Sequence, residues 1–373
     1  MKVLLHADAV GGVMSYALEL SRSLLRRGLR VVLATEGCRL EPDQRAAVAA
    51  LPGLVHCESS YRLEWMDDPW QDVARAGEWL LALERRERPD LVHLSSFAHA
   101  AQPFRAPRLL VGHSCVLSWF EAVRGEPAPP AWDRYRRAVG AGLRAAEALV
   151  APSQAMARAL SRHHGPIPRP WVIANGRDPA RFPPGRKLPL VLGAGRLWDE
   201  AKNLEALLRV APRVPWPVAI AGPLPGRSSD AAAAYTGESP GALQGFGRAH
   251  LLGRLSEAAL AGWLGRAAVF AHPARYEPFG LGVLEAALAG CALVLGDIES
   301  LRENWDGAAL FVPPDDDVAL AGALRVLAGD VRGREVFAAA ARARGLRLGP
   351  ERMADGYLAL YRALSGRRQE ART

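Results

Sequence analysis

KVLLHAD, residues 2–8, runs into AVGG, then VMSYALELSRSLLRRG, then RVVLATEG, and the alternation begins afresh at residue 190 with LVLGAGRL, KNLEALLRVA and PVAIAG. An aliphatic run, an amphipathic stretch and a second aliphatic run are the mark of parallel strands joined by crossover helices, because strands buried on both faces read as unbroken apolar segments. Its occurrence in both halves restricts the chain to the α/β class with two sheets. The chain has 373 residues, half of them apolar, so each half can bury a core of its own. Further strands are read at 90–95, 108–114 and 148–153. WVIANG then leads into RDPARFPPGRKLP, where Pro, Gly and Arg replace periodicity. The expected organisation is a first domain over 1–176, an interdomain linker over 177–188 and a second domain over 189–350. A helix over 351–366 with an aromatic stripe at Tyr357 and Tyr361 follows, then a disordered tail over 367–373. The Gly-, Ser-, Pro- and Ala-rich stretch at about 223–245 reads as a mobile loop.

The net charge of +8 and pI near 9.7 admit anionic partners: nucleic acid, an anionic membrane surface or phosphorylated small molecules. RSLLRRGLR, ERRER and RYRRA carry no interleaved aromatic residues, which argues against single-stranded nucleic acid. They read as solvated helix faces, or as a patch for a membrane or an acidic substrate. Cys38, Cys57, Cys115 and Cys291 are too scattered for a metal or redox motif, as expected of a reduced, cytoplasmic protein. No stretch approaches the ~20 apolar residues of a spanning helix, so membrane association would be peripheral, at the inner face of the plasma membrane. The apolar run in MKVLLHADAVGG is too short for a signal peptide.

RYEPFGLGVLEAALAGC, residues 275–291, sets two glutamates eight positions apart across a glycine-bracketed turn. Pro278, Gly280 and Gly282 delay helix formation, whereas VLEAALA favours it, so a helix is expected to begin near Leu281 or Gly282. Its free backbone amides make an anion site suited to a diphosphate, and the glycines allow close approach. Glu285, one turn in, is placed to accept hydrogen bonds from the vicinal hydroxyls of a ribose. Glu277, on the other side of the turn, would reach a sugar at the far end of the diphosphate. The bland alternative is an ordinary strand–loop–helix connection with two solvated glutamates.

LVLGAGRLWDEAKN, residues 190–203, ends a buried strand in a glycine turn that presents Arg196 and then Lys202. Two cations there can stabilise the charge on a departing nucleoside diphosphate. Alternatively, they pair with Asp199 and Glu200 on the surface. Asp315, Asp316 and Asp317 read as a helix cap and first-turn acids rather than as a metal site. Glu36, where a dinucleotide fold would read a ribose, follows a loop lacking three spaced glycines. His93 and His99, like any lone histidine near an apolar strand, read as satisfied core or rim residues.

Gly11 and Gly12 in the first loop, His113 after a strand, Asn175 and Gly176, GRL and KN within 195–203, and EPFGLGVLE at 277–285 occur in this order. Together they resemble the retaining glycosyltransferases of family four with the GT-B fold, over nearly the whole chain. The resemblance implies two Rossmann-like domains facing across a cleft, with the last helix crossing back onto the first domain. It implies metal-independent, retaining transfer of a sugar from a nucleotide diphosphate sugar to a glycan, lipid-linked or small-molecule acceptor, with no cofactor. Arg196 and Lys202 would hold the diphosphate together with the backbone of Gly280 and Leu281, Glu285 the ribose and Glu277 the donor sugar. His113 would contact the transferred sugar, and Gly12 would let the first loop approach the donor. One departure stands out: five residues, Leu197 to Ala201, separate the Arg from the Lys where the family has four. Rival readings keep the fold but not the transfer: an epimerase or phosphorylase, or a non-catalytic nucleotide-sugar-binding scaffold. A phosphorylase needs a cofactor-bearing lysine, and only Lys2, Lys187 and Lys202 are available.

Overall fold

The computed structural model describes residues 1–223 and 249–370, with side chains to 366. Most of the expected 223–245 loop, and residues 371–373 of the expected tail, lie outside those residues, whereas 367–370 continue the last helix instead of being disordered. The chain forms two compact units, residues 1–176 with 350–373, and residues 177–349.

The first unit alternates β1 (Lys2–Asp8), α1 (Gly12–Arg26), β2 (Arg30–Glu36), α2 (Pro42–Ala49), β3 (Leu54–Glu58), α3 (Trp70–Glu87) and β4 (Leu91–Leu94). It continues with β5 (Arg108–Val111), α4 (Val116–Arg124), α5 (Asp133–Ala145), β6 (Ala148–Ala151), α6 (Gln154–His164) and β7 (Trp171–Val172). The strands pair in parallel in the order β3-β2-β1-β4-β5-β6-β7, so the order reverses between β1 and β4. Ligands of such sheets bind beyond the strands' carboxyl ends at such a reversal. Leu4, Val92, Leu94 and Leu110 fill the centre of the core, as their apolar strand positions require. Gly28, after Arg27, takes φ 77° and so ends α1 in the left-handed conformation that glycine adopts freely.

The second unit runs through β8 (Leu188–Ala194), α7 (Glu205–Val210), β9 (Val218–Ala221), β10 (Ala249–Gly253), α8 (Glu257–Arg266), β11 (Ala267–His272), α9 (Leu281–Leu288) and β12 (Ala292–Gly296). It closes with α10 (Glu299–Trp305), β13 (Leu310–Val312), α11 (Asp317–Gly329) and α12 (Val331–Gly345). Its strand order, β10-β9-β8-β11-β12-β13, is again wholly parallel and reverses between β8 and β11. Val191, Ile220, Val269 and Val294 form its inner core. Asp316 caps α11 by accepting from the amides of Val318 and Ala319, while Asp315 pairs with Arg275 and Asp317 with Arg209. The aspartate triplet is thus engaged in a cap and two ion pairs.

α13 (Pro350–Glu370) belongs to the first unit. Its Tyr357 and Tyr361 are fully buried, and the Tyr361 hydroxyl is hydrogen-bonded to His93 Nδ1 at 2.6 Å. Arg27, which caps α1, pairs with Asp355 at 2.7 Å. The stretch 177–188, expected as a linker, instead packs as part of the second unit: Arg177 and Phe182 are buried in it. The reason is electrostatic and is found at the site. Among the described residues, no helix is long and apolar enough to cross a membrane.

Candidate functional site

At the carboxyl edge of the second sheet, the turns after β8 and β11 flank the reversal point. β8 ends in Gly193, Ala194 and Gly195, and a side chain at Gly222 beyond β9 would place its Cβ 1.7 Å from the Gly195 carbonyl oxygen. The strand tips can lie this close only because that position has no side chain. The turn then presents Arg196. The extra residue between Arg196 and Lys202 is absorbed by successive turns, with hydrogen bonds from the Asp199 amide to the Arg196 carbonyl and from the Lys202 amide to the Asp199 carbonyl. Asn203, at φ 50°, then donates its side-chain amide to the carbonyls of Pro273 and Pro314 at 2.9 and 2.7 Å. The Arg275 amide donates to Ala201 O at 2.8 Å. These bonds join the 196–203 turn to the loop after β11.

Within that frame Lys202 Nζ lies 2.9 Å from Glu277 Oε2, and His272 Nε2 lies 3.1 Å from the same oxygen. The other carboxylate oxygen, Oε1, accepts from the Gly280 amide at 3.1 Å. Burial alone would raise the Glu277 pKa, but Lys202 and His272 together hold it well below the ordinary carboxylate range. Gly280 takes φ 89° as the N-cap of α9, and Leu281 is the helix's first residue. Arg196 is anchored to Asp199 at 2.7 Å, stacks over Trp198 and keeps about a third of its side chain exposed. Burial pushes the Asp199 pKa up, and the neighbouring Arg196 and Lys202 more than reverse that. The structure therefore realises the Asp199 pairing for Arg196 and gives Lys202 a different partner, Glu277, the other residue singled out for chemistry.

Glu285 lies one turn into α9 and is nearly buried. Arg177 Nε reaches its Oε1 at 2.9 Å, while Arg177 Nη2 donates to Glu257 at 2.6 Å and its guanidinium stacks over Phe182. This buried cation explains why 177–188 belongs to the second unit: two carboxylates hold it there. Burial raises the Glu285 pKa, Arg177 offsets part of that rise, and Glu257 adds to it. Sequence reading missed Arg177 and His272. A lone His at a strand end and an Arg in a Pro- and Gly-rich stretch carry no signal until their partners are known.

In the first unit, Gly12 opens α1, but the residue that requires glycine is Gly11, at φ 87° and ψ −146°. His113 follows β5 and stacks edge-on against Tyr16 at 4.5 Å. Its Nε2 is shielded from solvent with no hydrogen-bond partner among the described residues, and burial lowers its pKa to about 3, leaving a neutral imidazole. Glu36 is held by His6 Nε2 at 2.9 Å and His99 Nε2 at 2.8 Å, all three buried. The geometry of these three would admit a metal ion. Metal-bound imidazoles, however, normally donate their second nitrogen to an orienting acceptor, and neither Nδ1 has a partner among the described residues. The trio is accounted for as a hydrogen-bonded network in which His99 gains a proton affinity that burial opposes and Glu36 supplies.

Comparison with known proteins identifies the family. Residues 10–181 match the model for glycosyltransferase family 4, and residues 189–330 that for glycosyl transferases group 1. A glycogen synthase of Mycobacterium tuberculosis is 30% identical over 301 residues, 73% of this chain and 68% of the relative. A D-inositol 3-phosphate glycosyltransferase of Xylanimonas cellulosilytica is 28% identical over 96% of this chain and 93% of its own length. Among solved structures, a sucrose-phosphate synthase from Thermosynechococcus elongatus superposes with a TM-score of 0.79 at 21% identity, covering 98% of this chain and 99% of that one. The Anabaena protein HepE, solved with UDP and glucose, gives a TM-score of 0.75 at 16% identity, over 97% of this chain and 100% of its own. The chain belongs to the family 4, group 1 glycosyltransferases of GT-B fold. It is a glycosyltransferase enzyme.

Proposed function

We propose that the chain transfers a sugar from a nucleotide diphosphate sugar to a glycan, lipid-linked or small-molecule acceptor, with retention of anomeric configuration and without a metal ion. The observation that carries the reading is the meeting, at one sheet edge, of Arg196, the Lys202–Glu277 pair and the amino terminus of α9. Arg196 and Lys202 supply positive charge where a diphosphate would sit, so stabilisation of the leaving group needs no ion. A bound diphosphate would draw Lys202 from Glu277 and free that carboxylate for the donor sugar's hydroxyls. Glu285, oriented by Arg177, keeps its second oxygen for a ribose. His113 offers a neutral imidazole that can hydrogen-bond a sugar hydroxyl without adding charge. Solved HepE complexes holding UDP and UDP-glucose support the choice of donor class.

The test is nucleoside diphosphate release from a panel of UDP, GDP and ADP sugars with a mixed lipid and glycan acceptor extract, comparing wild type with Glu285→Ala. Release from one donor, lost in the variant, is the expected result. Full turnover and donor affinity in the variant would remove the ribose assignment. Donor-induced thermal stabilisation with no release from any donor would favour a non-catalytic scaffold. Cytoplasmic action with peripheral membrane association is part of the proposal; it predicts salt-sensitive binding to anionic liposomes.

A further inference from the structure

A cavity of about 410 Å³ opens in the first unit between α3, α5 and the short turn at 98–101 after β4. The amino ends of α3 and α5 lie at the carboxyl edge of the sheet, since both helices run back toward the start of the next strand. That edge is where parallel sheets take ligands. The wall is built rather than incidental. A side chain at Gly142 of α5 would come within 1.8 Å of the Phe97 carbonyl oxygen, so the helix and the 97–101 turn are in backbone contact. Gly77 of α3 likewise leaves room for Gln102, whose side-chain amide nitrogen lies 2.5 Å from where a Cβ would be.

The lining is chemically lopsided. Trp70 offers an indole face, Gln102 a carboxamide, and Ala74, Ala98 and Ala138 small methyls. Arg134 and Arg137 stand on the same wall, and no carboxylate lines it. Arg134 lies 4.9 Å from the centre of the Trp70 ring, and neither arginine has an acidic partner among the described residues. Its neighbour Arg136, by contrast, pairs with Asp133. An indole beside planar polar groups suits the apolar face and hydroxyls of a sugar ring. Two unpaired guanidiniums suit a phosphate or a carboxylate on that ring.

We propose that this cavity is an acceptor subsite for an anionic sugar, with Trp70 against the ring and Arg134 and Arg137 on its phosphate or carboxylate. The proposal rests on the glycosyltransferase reading but is tested by binding alone, so the failure of one is distinguishable from that of the other. The full-length protein is titrated calorimetrically with glucose 6-phosphate, glucuronate, glucose and inorganic phosphate, and UDP binding is measured in parallel. Wild type is compared with Arg134→Gln/Arg137→Gln and with Trp70→Leu. The arginines are exposed, so the double variant should fold, and unchanged UDP affinity verifies this. The expected result is that at least one anionic sugar binds tenfold or more tighter than glucose and inorganic phosphate. That preference is lost in the double variant and weakened several-fold in Trp70→Leu. Which of glucose 6-phosphate and glucuronate binds tighter assigns the anion. Equal binding by wild type and double variant overturns the proposal. So does inorganic phosphate binding as tightly as the sugar phosphate, which would reveal a bare basic patch.

Discussion

The first unit buries imidazoles that stay neutral beside carboxylates such as Glu36 and Glu64: burial lowers the pKa values of His6 and His93, takes that of the partly buried His113 to about 3 and brings that of His164 to about 4. The ionisable groups of the second unit are paired charges: Arg177 with Glu285 and Glu257, Lys202 with Glu277, and Arg196 with Asp199. The two sheets share a topology and a reversal point, so the backbone does not dictate this difference. Paired charges stay ionised when buried and can be handed over to a charged ligand, whereas neutral imidazoles offer hydrogen bonds without attracting counter-ions.

The strongest way to break the contrast is to remove a buried cation. Arg177→Met should leave Glu285 and Glu257 facing each other and cost about 3–5 kcal/mol of stability. Arg177→Met/Glu285→Gln should recover a large part of that loss in urea unfolding. If the losses simply add, Arg177 and Glu285 are not coupled as described. Glu277→Gln should lower donor turnover by about a hundredfold, or ~2.7 kcal/mol of transition-state stabilisation, because Lys202 and His272 lose the carboxylate that orients them. Steady-state kinetics would show it, and retained turnover would reduce the Lys202–Glu277 pair to a structural role.

The imidazoles make a prediction of opposite sensitivity. A histidine kept neutral in the fold takes up a proton on unfolding once the pH drops below about 6.5, so it costs stability progressively until its folded pKa is reached. For His113 that window runs down to about 3 and for His164 to about 4, at up to about 1.4 kcal/mol per imidazole per pH unit. His99, with its pKa raised beside Glu36, works in the other direction. Glu277 and Asp199, depressed by their cations, lose stability only as the pH falls through the ordinary carboxylate range. The urea midpoint should therefore fall between pH 6.5 and 5 before the ion pairs contribute, and His113→Gln should flatten the slope. An unchanged slope would dismiss His113 as a buried neutral group. The smallest effect is expected of Asp199→Asn, which keeps the acceptor for the Ala201 amide but frees the one-third-exposed Arg196. Its stability should change by less than about 1 kcal/mol, and nucleoside diphosphate affinity should rise a few-fold at low salt.

The fold was legible because strands such as KVLLHAD and AVFAHPA are aliphatic runs closed by turn residues, and that pattern is local. α9 begins at Leu281, within one residue of where Pro278 and the glycines placed it. At the site, Glu277 and Lys202 were both singled out from local context, but their mutual contact was not, because a pairing between distant turns leaves no trace in spacing. Arg177 was hidden for a stronger reason: its surroundings carry the composition of a tether, and only Glu285 and Glu257, far along the chain, reveal it as buried. The cavity at Trp70 was equally invisible, since α3, the 98–101 turn and α5 meet only in the folded unit.

The second unit is spliced into the first between residues 176 and 350, and α13 returns to complete it. For a chain emerging from the ribosome, this sets a schedule. The seven strands of the first sheet are all synthesised before residue 177, yet Tyr357 and Tyr361, which cover Tyr16 and His93, arrive only with the last helix. The nested unit can close on itself while its host still waits for a lid, so the earliest part of the chain to be made is the last to be finished.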